Sequence, residues 1–174
     1  MTRINVKLDV IESMLFFWKA TNEREKVGEA YMVGITDYDV MKHLYQDDFD
    51  AEAAREVLSA ISNREILNTT SKKSRKFWNN NMWMMEDLEY TDMMVAPLKQ
   101  LNLDDVAEEL TASGAPETIE VHFIPGHHDV YYKDENKVII NFFRVKPDLM
   151  DDSIVTIEDQ PLKDYVADRI KELI

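Results

Sequence analysis

Three of the four histidines of this chain lie close together in the sequence, in a short segment that also contains a carboxylate. They are His122, His127, His128 and Asp129. Neutral imidazoles and a carboxylate are suitable ligands for zinc, iron or manganese, and catalytic metal sites often need only three protein ligands. This segment therefore predicts a divalent-metal site, with metal-dependent hydrolysis as its chemistry.

The spacing of these histidines also fits a segment that binds no metal. It is not the HExxH pair that places two ligands on one helical face, and adjacent His127 and His128 in a strand would point to opposite sides. One alternative is a set of exposed turn histidines. The other is a corner that responds to pH, because histidine changes its charge near neutrality.

A second segment combines positive charge with an aromatic ring, since Lys72, Lys73, Arg75 and Lys76 are followed closely by Trp78. Cations beside aromatic side chains can contact phosphates and stack on bases. The segment is therefore a candidate nucleic-acid or phosphate contact. The alternative is a solvated hairpin tip.

Methionine and tryptophan are concentrated in one part of the chain. These residues are Met82, Met84, Met85, Met93, Met94, Trp78 and Trp83. Their spacing is compatible with burial, which predicts core positions for most of them. Because the thioether is flexible and polarisable, a partner-binding surface or a dimer interface is the alternative.

Several kinds of chemistry lack their residues. The chain has no cysteine and only four glycines, so it has neither a thiolate metal site nor a glycine-rich loop that could hold a phosphate. The turn that carries the nucleophile of serine hydrolases is also missing. We expect no nucleotide-dependent chemistry.

The elements that would position the histidines carry the strongest strand signal. Residues 119–123 alternate apolar with polar, and residues 130–133 and 138–145 are joined by four polar residues. We expect an antiparallel β-meander with a further strand at 154–157. The segment 138–143 has almost no polar position, which predicts a central strand buried on both faces and covered by a C-terminal helix.

The N-terminal half has helical spacing. It predicts helices over residues 4–24, 37–46 and 50–63, followed by two strands that form a hairpin at 65–85 with the basic run at its tip. This order resembles the winged-helix arrangement over residues 5–88, judged by the element order and the placement of Leu58, Ile61, Ile66 and Leu67. The resemblance implies a DNA-binding transcriptional regulator.

The helix that would read the DNA bases is acidic, however. Asp50, Glu52 and Glu56 outnumber Arg55, and no row of base-reading side chains is present. The formal net charge of −14 also disfavours a nucleic-acid partner and anionic lipid. A winged-helix-like fold in this chain would therefore favour protein contacts.

These patterns together predict an α+β protein with a mainly helical domain at 1–112 and a sheet with a C-terminal helix at 117–174, packed as one compact unit. The absence of a signal-peptide pattern and of a long apolar run predicts a cytoplasmic protein that does not cross a membrane. We expect a non-catalytic interaction or regulatory module that binds a protein partner or self-associates as a homo-oligomer. The alternatives are the DNA-binding regulator and the metal-dependent hydrolase described above.

Overall fold

The computed structural model describes all 174 residues, and the N-terminal half is mainly helical. A short 3₁₀ helix at Asp39–Leu44 lies between the second and third α-helices. The regular elements of this half are β1 (Arg3–Lys7), α1 (Asp9–Asn22), α2 (Glu29–Thr36), α3 (Ala51–Asn63), α4 (Lys72–Glu86), α5 (Leu88–Lys99) and α6 (Asp104–Thr111).

The C-terminal half contains six strands and a closing helix. These elements are β2 (Thr118–Ile124), β3 (Tyr131–Asp134), β4 (Lys137–Asn141), β5 (Lys146–Pro147), β6 (Val155–Ile157), β7 (Gln160–Pro161) and α7 (Leu162–Lys171). The predicted α+β class, with helices mainly in the first half and a sheet plus a C-terminal helix in the second, is confirmed.

Strand direction in the main sheet needs one correction. The strand order is β1-β2-β4-β3, and β3 pairs with β4 as the predicted antiparallel hairpin. However, β2 pairs with β4 in the parallel sense. After β2 the chain forms β3 at the outer edge of the sheet and then returns as β4, which lies between β2 and β3. Because β4 turns back on β3 through a hairpin, it runs in the same direction as β2. The predicted fourth strand, β6, belongs to a separate antiparallel sheet of order β5-β6-β7.

The predicted helix over residues 4–24 begins later than expected, because its first residues form β1. Arg3–Lys7 pair in parallel with Thr118–His122 of β2. Ile4 and Val6 alternate with polar residues and pack against the core, which is the strand period. Helix α1 then starts at Asp9.

The predicted hairpin at 65–85, and with it the wing, is wrong. Residues 65–70 form no regular element, and Lys72–Glu86 form helix α4. The Ser71 side chain caps this helix by accepting a hydrogen bond from the Ser74 N–H at 3.2 Å. Ser74, Phe77, Asn81 and Met84 are buried at helical spacing, so one face of the segment lies in the core.

The central position of β4 is confirmed. Val138, Ile139 and Ile140 are fully buried between β2 and β3, and helix α7 packs on β4 and on the smaller sheet. Helix α1 packs on β2 from the N-terminal half, where the indole of Trp18 stacks on Phe142 with ring centroids 5.7 Å apart. The sheet is therefore enclosed by helices from both halves of the chain.

The buried apolar side chains of both halves form one continuous cluster. Strand β1, from the predicted first domain, is part of the sheet of the predicted second domain. The division at 1–112 and 117–174 stays a prediction. None of the helices combines the length and the apolar character needed to cross a membrane.

Candidate functional site

The first candidate site, the histidine segment, begins on β2. His122 and Glu120 lie on the same side of this strand, and His122 Nε2 is 2.7 Å from Glu120 Oε1. The hydrogen bond to His122 lowers the pKa of Glu120. Both side chains are partly buried, and each forms its close polar contact with the other.

His127 has both ring nitrogens occupied by the fold. Its side chain is completely buried and meets the ring of Phe49 edge to face, with centroids 5.3 Å apart. Nε2 donates to the carbonyl of Leu44 at 2.9 Å, and Nδ1 accepts from the backbone N–H of His128 at 2.8 Å. His127 is therefore a neutral side chain that joins the strand-turn corner to the 3₁₀ helix.

The remaining two predicted ligands, His128 and Asp129, are exposed in the same turn. Asp129 Oδ2 accepts from the hydroxyl of Tyr132 at 3.0 Å, and the carbonyl of His128 accepts from Arg144. No group of three or more His, Asp or Glu side chains is placed to hold a metal ion. His122, His127, His128 and Asp129 thus form no three-ligand group in the structure, and the metal-dependent hydrolase stays a prediction.

Asn141 holds in place the turn between β2 and β3, which contains His127 and is called the histidine corner below. It is a buried polar residue at the end of β4, and its amide donates to the carbonyls of His127 and Asp129 at 3.2 and 3.0 Å. Its Oδ1 accepts from the Phe143 N–H at 3.0 Å. All of these contacts satisfy backbone groups, so the corner is built as a structural turn.

The buried His127 predicts a pH-dependent stability. Burial lowers its pKa, and protonation would place a proton on Nδ1, where the ring accepts a hydrogen bond. The unfolded state then binds a proton more readily than the folded state, so stability is full above the ordinary histidine pKa of about 6.5 and declines as pH falls below it. We expect urea unfolding to give a lower free energy of unfolding at about pH 5.5 than at about pH 7.5.

The contribution of His127 is isolated by comparing variants. His127→Asn should show a smaller loss of stability over the same pH interval, although it is less stable at both values. His128→Asn, at an exposed neighbour, should keep the wild-type loss. An unchanged pH dependence in His127→Asn would contradict the prediction.

The second candidate site, the basic run, is now the start of helix α4. Lys73 Nζ is 2.9 Å from a carboxylate oxygen of Asp47, whereas Lys72 and Arg75 are exposed. Lys76 and Trp78 are half-buried. The side chains that were predicted to lie together on a wing are therefore distributed around a helix. Nucleic-acid contact by this segment stays a prediction, although the hairpin that was expected to carry the basic side chains is not formed.

Three consecutive asparagines show how α4 is attached to the rest of the molecule. Asn81 is fully buried and its Oδ1 accepts from the indole N–H of Trp18 at 3.0 Å. Asn80 donates to the carbonyl of Gly126 at 3.2 Å, and Asn79 is exposed. Helix α4 is thus tied to α1 on one side and to the histidine corner on another.

A groove lies on each side of α4. The first, which we call the α3–α4 groove, has a volume of about 570 Å³ and is formed by the end of α3, residues 64–67 and α4. Its lining is Ala60, Ile61, Arg64, Glu65, Ile66, Leu67, Arg75, Trp78, Asn79, Met82 and Met85.

The second groove, which we call the α4–α5 groove, has a volume of about 640 Å³ and lies between α4, α5 and the small sheet. Its apolar lining is Trp83, Met84, Tyr90, Met94, Phe143, Val145 and Leu149. Its polar lining is Asn80, Asp87, Arg144, Lys146, Thr156, Glu158 and Asp159. Both volumes are in the range of ligand-binding pockets.

The predicted methionine and tryptophan core is confirmed for Met84, Met85 and Met94, which are buried. Trp83 is different, because 66% of it is exposed. Leu149, which also lines the α4–α5 groove, is 74% exposed, and Met150 follows it in the β5–β6 connection. One sequence signal could have indicated this exposed apolar surface. It is the pair Leu149 and Met150, which lies between aspartates in a turn.

No family model matches this chain, and neither the curated protein sequences nor the solved structures give a significant match.

Proposed function

We propose that this chain is a non-catalytic protein-interaction module, and that its partner inserts apolar side chains into the α4–α5 groove. The observation that carries the proposal is the exposure of Trp83 at the edge of this groove. A tryptophan ring exposes a large apolar area to water, and burying it is among the largest gains available at a protein interface.

Leu149 gives the groove a second exposed apolar wall. It lines the same groove as Trp83, and Met150 beside it is 95% exposed. Single exposed apolar residues are common on protein surfaces, whereas several around one concave site mark a binding surface. An apolar side chain of a partner would cover exposed area of Trp83 and Leu149 when it enters this groove.

Three of the charged residues of the groove have roles in the fold. Arg144 Nη1 is 3.0 Å from Glu158 Oε1, and Asp87 caps helix α5 by accepting from the Tyr90 N–H at 3.0 Å. These contacts keep the walls of the groove in place. They support a preformed binding surface more than a site for proton transfer.

The charge of the surroundings defines the partner. Acids are frequent in the two segments that carry the exposed apolar side chains: Glu86, Asp87, Glu89, Asp148, Asp151 and Asp152. The whole chain has a net charge of −14. A second copy would meet this surface with like charge, whereas a segment that places lysine or arginine beside apolar anchors complements it. The proposed partner is therefore a basic amphipathic segment of another protein.

A designed peptide tests this proposal. The probe is a synthetic amphipathic helix with leucine and tryptophan on one face and lysine on the other, and its partner peptide has glutamate in place of lysine. We expect the lysine peptide to bind with an affinity that falls as salt is added, because exposed charges are screened. Trp83→Ser should weaken binding at least about tenfold, since truncating an interface tryptophan often costs about 2 kcal/mol.

Phe16→Ser is the matched control, because Phe16 is another exposed aromatic residue and lies on α1 outside the groove. It should bind the lysine peptide as the wild type does. Equal binding by Trp83→Ser and the wild type would contradict the proposal, as would equal binding of the two peptides. A dimer that depends on Trp83 in light scattering would point to self-association instead.

A further inference from the structure

The α3–α4 groove is a separate site on the other side of α4, and the proposed partner does not use it. Ile61, Leu67, Met82 and Met85 give it an apolar wall. Methionine and leucine side chains adapt to apolar ligands of varied shape because they have several rotatable bonds. This part of the groove suits a flexible hydrocarbon group.

Two arginines line the same groove. Arg64 donates to the carbonyl of Thr21 at 2.7 Å, and Arg75 donates to the carbonyl of Thr70 at 3.3 Å. Neither guanidinium forms an ion pair, although the chain has 34 acidic residues and only 20 lysines and arginines. Each guanidinium has five N–H groups, so each retains donors for a further acceptor.

Trp78 also lines the groove, and its side chain is only partly buried. Its Nε1 atom is closed off from solvent and has no hydrogen-bond partner. A ligand in the groove therefore contacts the accessible part of the indole ring, and the N–H signal of that ring reports the contact.

The charge within the groove favours an anion. Glu65 is the one carboxylate among the lining residues, against Arg64 and Arg75. The local balance is therefore positive in a chain that is strongly acidic elsewhere. Guanidinium groups bind carboxylates with paired, charge-assisted hydrogen bonds, which gives the site a preference for that head group.

We propose that the α3–α4 groove binds a small apolar carboxylate, such as a medium-chain fatty acid. Its hydrocarbon part packs on Ile61, Leu67, Met82 and Met85 beside the ring of Trp78, and its carboxylate accepts hydrogen bonds from Arg75. The volume of about 570 Å³ is suitable for a ligand of this size. The proposal does not depend on the proposed function, because the two grooves lie on different sides of α4.

The indole N–H signals in a ¹H–¹⁵N NMR spectrum report binding directly. Decanoate, kept below the concentration at which it forms micelles, is the probe, and Trp78→Phe assigns the signal. We expect the Trp78 signal to shift on titration while the signals of Trp18 and Trp83 stay in place. The Trp18 N–H already donates to Asn81, and Trp83 lies in the other groove.

Variants on α4 test the role of the charge. Arg75→Gln should weaken decanoate binding about tenfold, the value of one charge-assisted hydrogen bond. Lys72→Gln is the matched control, because Lys72 is exposed on the same helix and does not line the groove. Decanol has the same chain as decanoate and no charge, so it should bind the wild type about tenfold more weakly than decanoate does. The two ligands should bind Arg75→Gln with about equal affinity.

Three outcomes would overturn the proposal. The first is a Trp78 signal that does not move with decanoate. The second is an equal loss of affinity in Arg75→Gln and Lys72→Gln, which would indicate a general effect of surface charge. The third is equal affinity of the wild type for decanol and decanoate, which would show that the negative charge of the ligand does not contribute to binding. Circular dichroism of each variant shows whether the fold is retained.

Discussion

Asn81→Ala is expected to destabilise the protein by about 3 kcal/mol. The Asn81 side chain is fully buried and makes two hydrogen bonds, accepting from the Trp18 indole at 3.0 Å and donating to the Phe77 carbonyl at 2.8 Å. Alanine would leave the indole N–H buried without an acceptor and would open a cavity between α1 and α4. Urea unfolding at neutral pH measures the change as a shift of the midpoint.

Asn79→Ala is the matched control, since Asn79 is exposed on the same helix. Its free energy of unfolding should stay within about 0.5 kcal/mol of the wild type. A double-mutant cycle separates the hydrogen bond from the cavity, because Trp18→Phe removes the donor. Asn81→Ala should cost clearly less in that background. Equal costs for Asn81→Ala and Asn79→Ala would show that the contact between α1 and α4 contributes little.

Gly126→Ala is expected to destabilise the protein by about 3 kcal/mol as well, by overfilling a turn. A Cβ atom on Gly126 would lie 2.6 Å from Cγ of Asn141 and 2.8 Å from its Nδ2 and Oδ1. The Asn141 side chain is buried and hydrogen-bonded to His127, Asp129 and Phe143, so it cannot move aside without losing those bonds. Thermal and urea unfolding both measure the effect.

Gly34→Ala provides a control with the opposite sign. Gly34 lies inside helix α2, and a Cβ atom there would have no neighbour within 4 Å. Alanine should therefore stabilise the protein by about 0.5–1 kcal/mol, because it reduces the conformational freedom of the unfolded chain. If both alanine variants had the same small effect, the turn at Gly126 would have to be more adaptable than its packing indicates.

Helix α4 shows where prediction from sequence failed. The predicted hairpin at 65–85 places Asn81 in a strand. In the structure it takes a core position in the helical series of Phe77 and Met84. Its burial depends on the indole of Trp18, 63 positions away in the chain. No local pattern contains that partner.

The histidine segment depends on tertiary structure in the same way. Residue types suggested a metal site, because imidazole and carboxylate are good ligands in general. Whether they converge depends on the direction of each side chain, and the Leu44 carbonyl, which lies 83 positions away, takes the Nε2–H of His127. The exposure of Trp83 was equally hidden, since buried and exposed apolar residues alternate within a few positions of α4.

The amino-acid sequence by itself determined the features that depend on neighbours along the chain. The alternation in β2, the apolar run of β4 and the helix predicted at 50–63 formed as expected, because a strand period or a helix start involves only a few adjacent residues. Tertiary structure alone decided the parallel pairing of β2 with β4 and the capture of residues 3–7 as a strand. It also decided which side chains face the two grooves of α4. These features rest on contacts between distant residues, and such contacts exist only once the chain has folded.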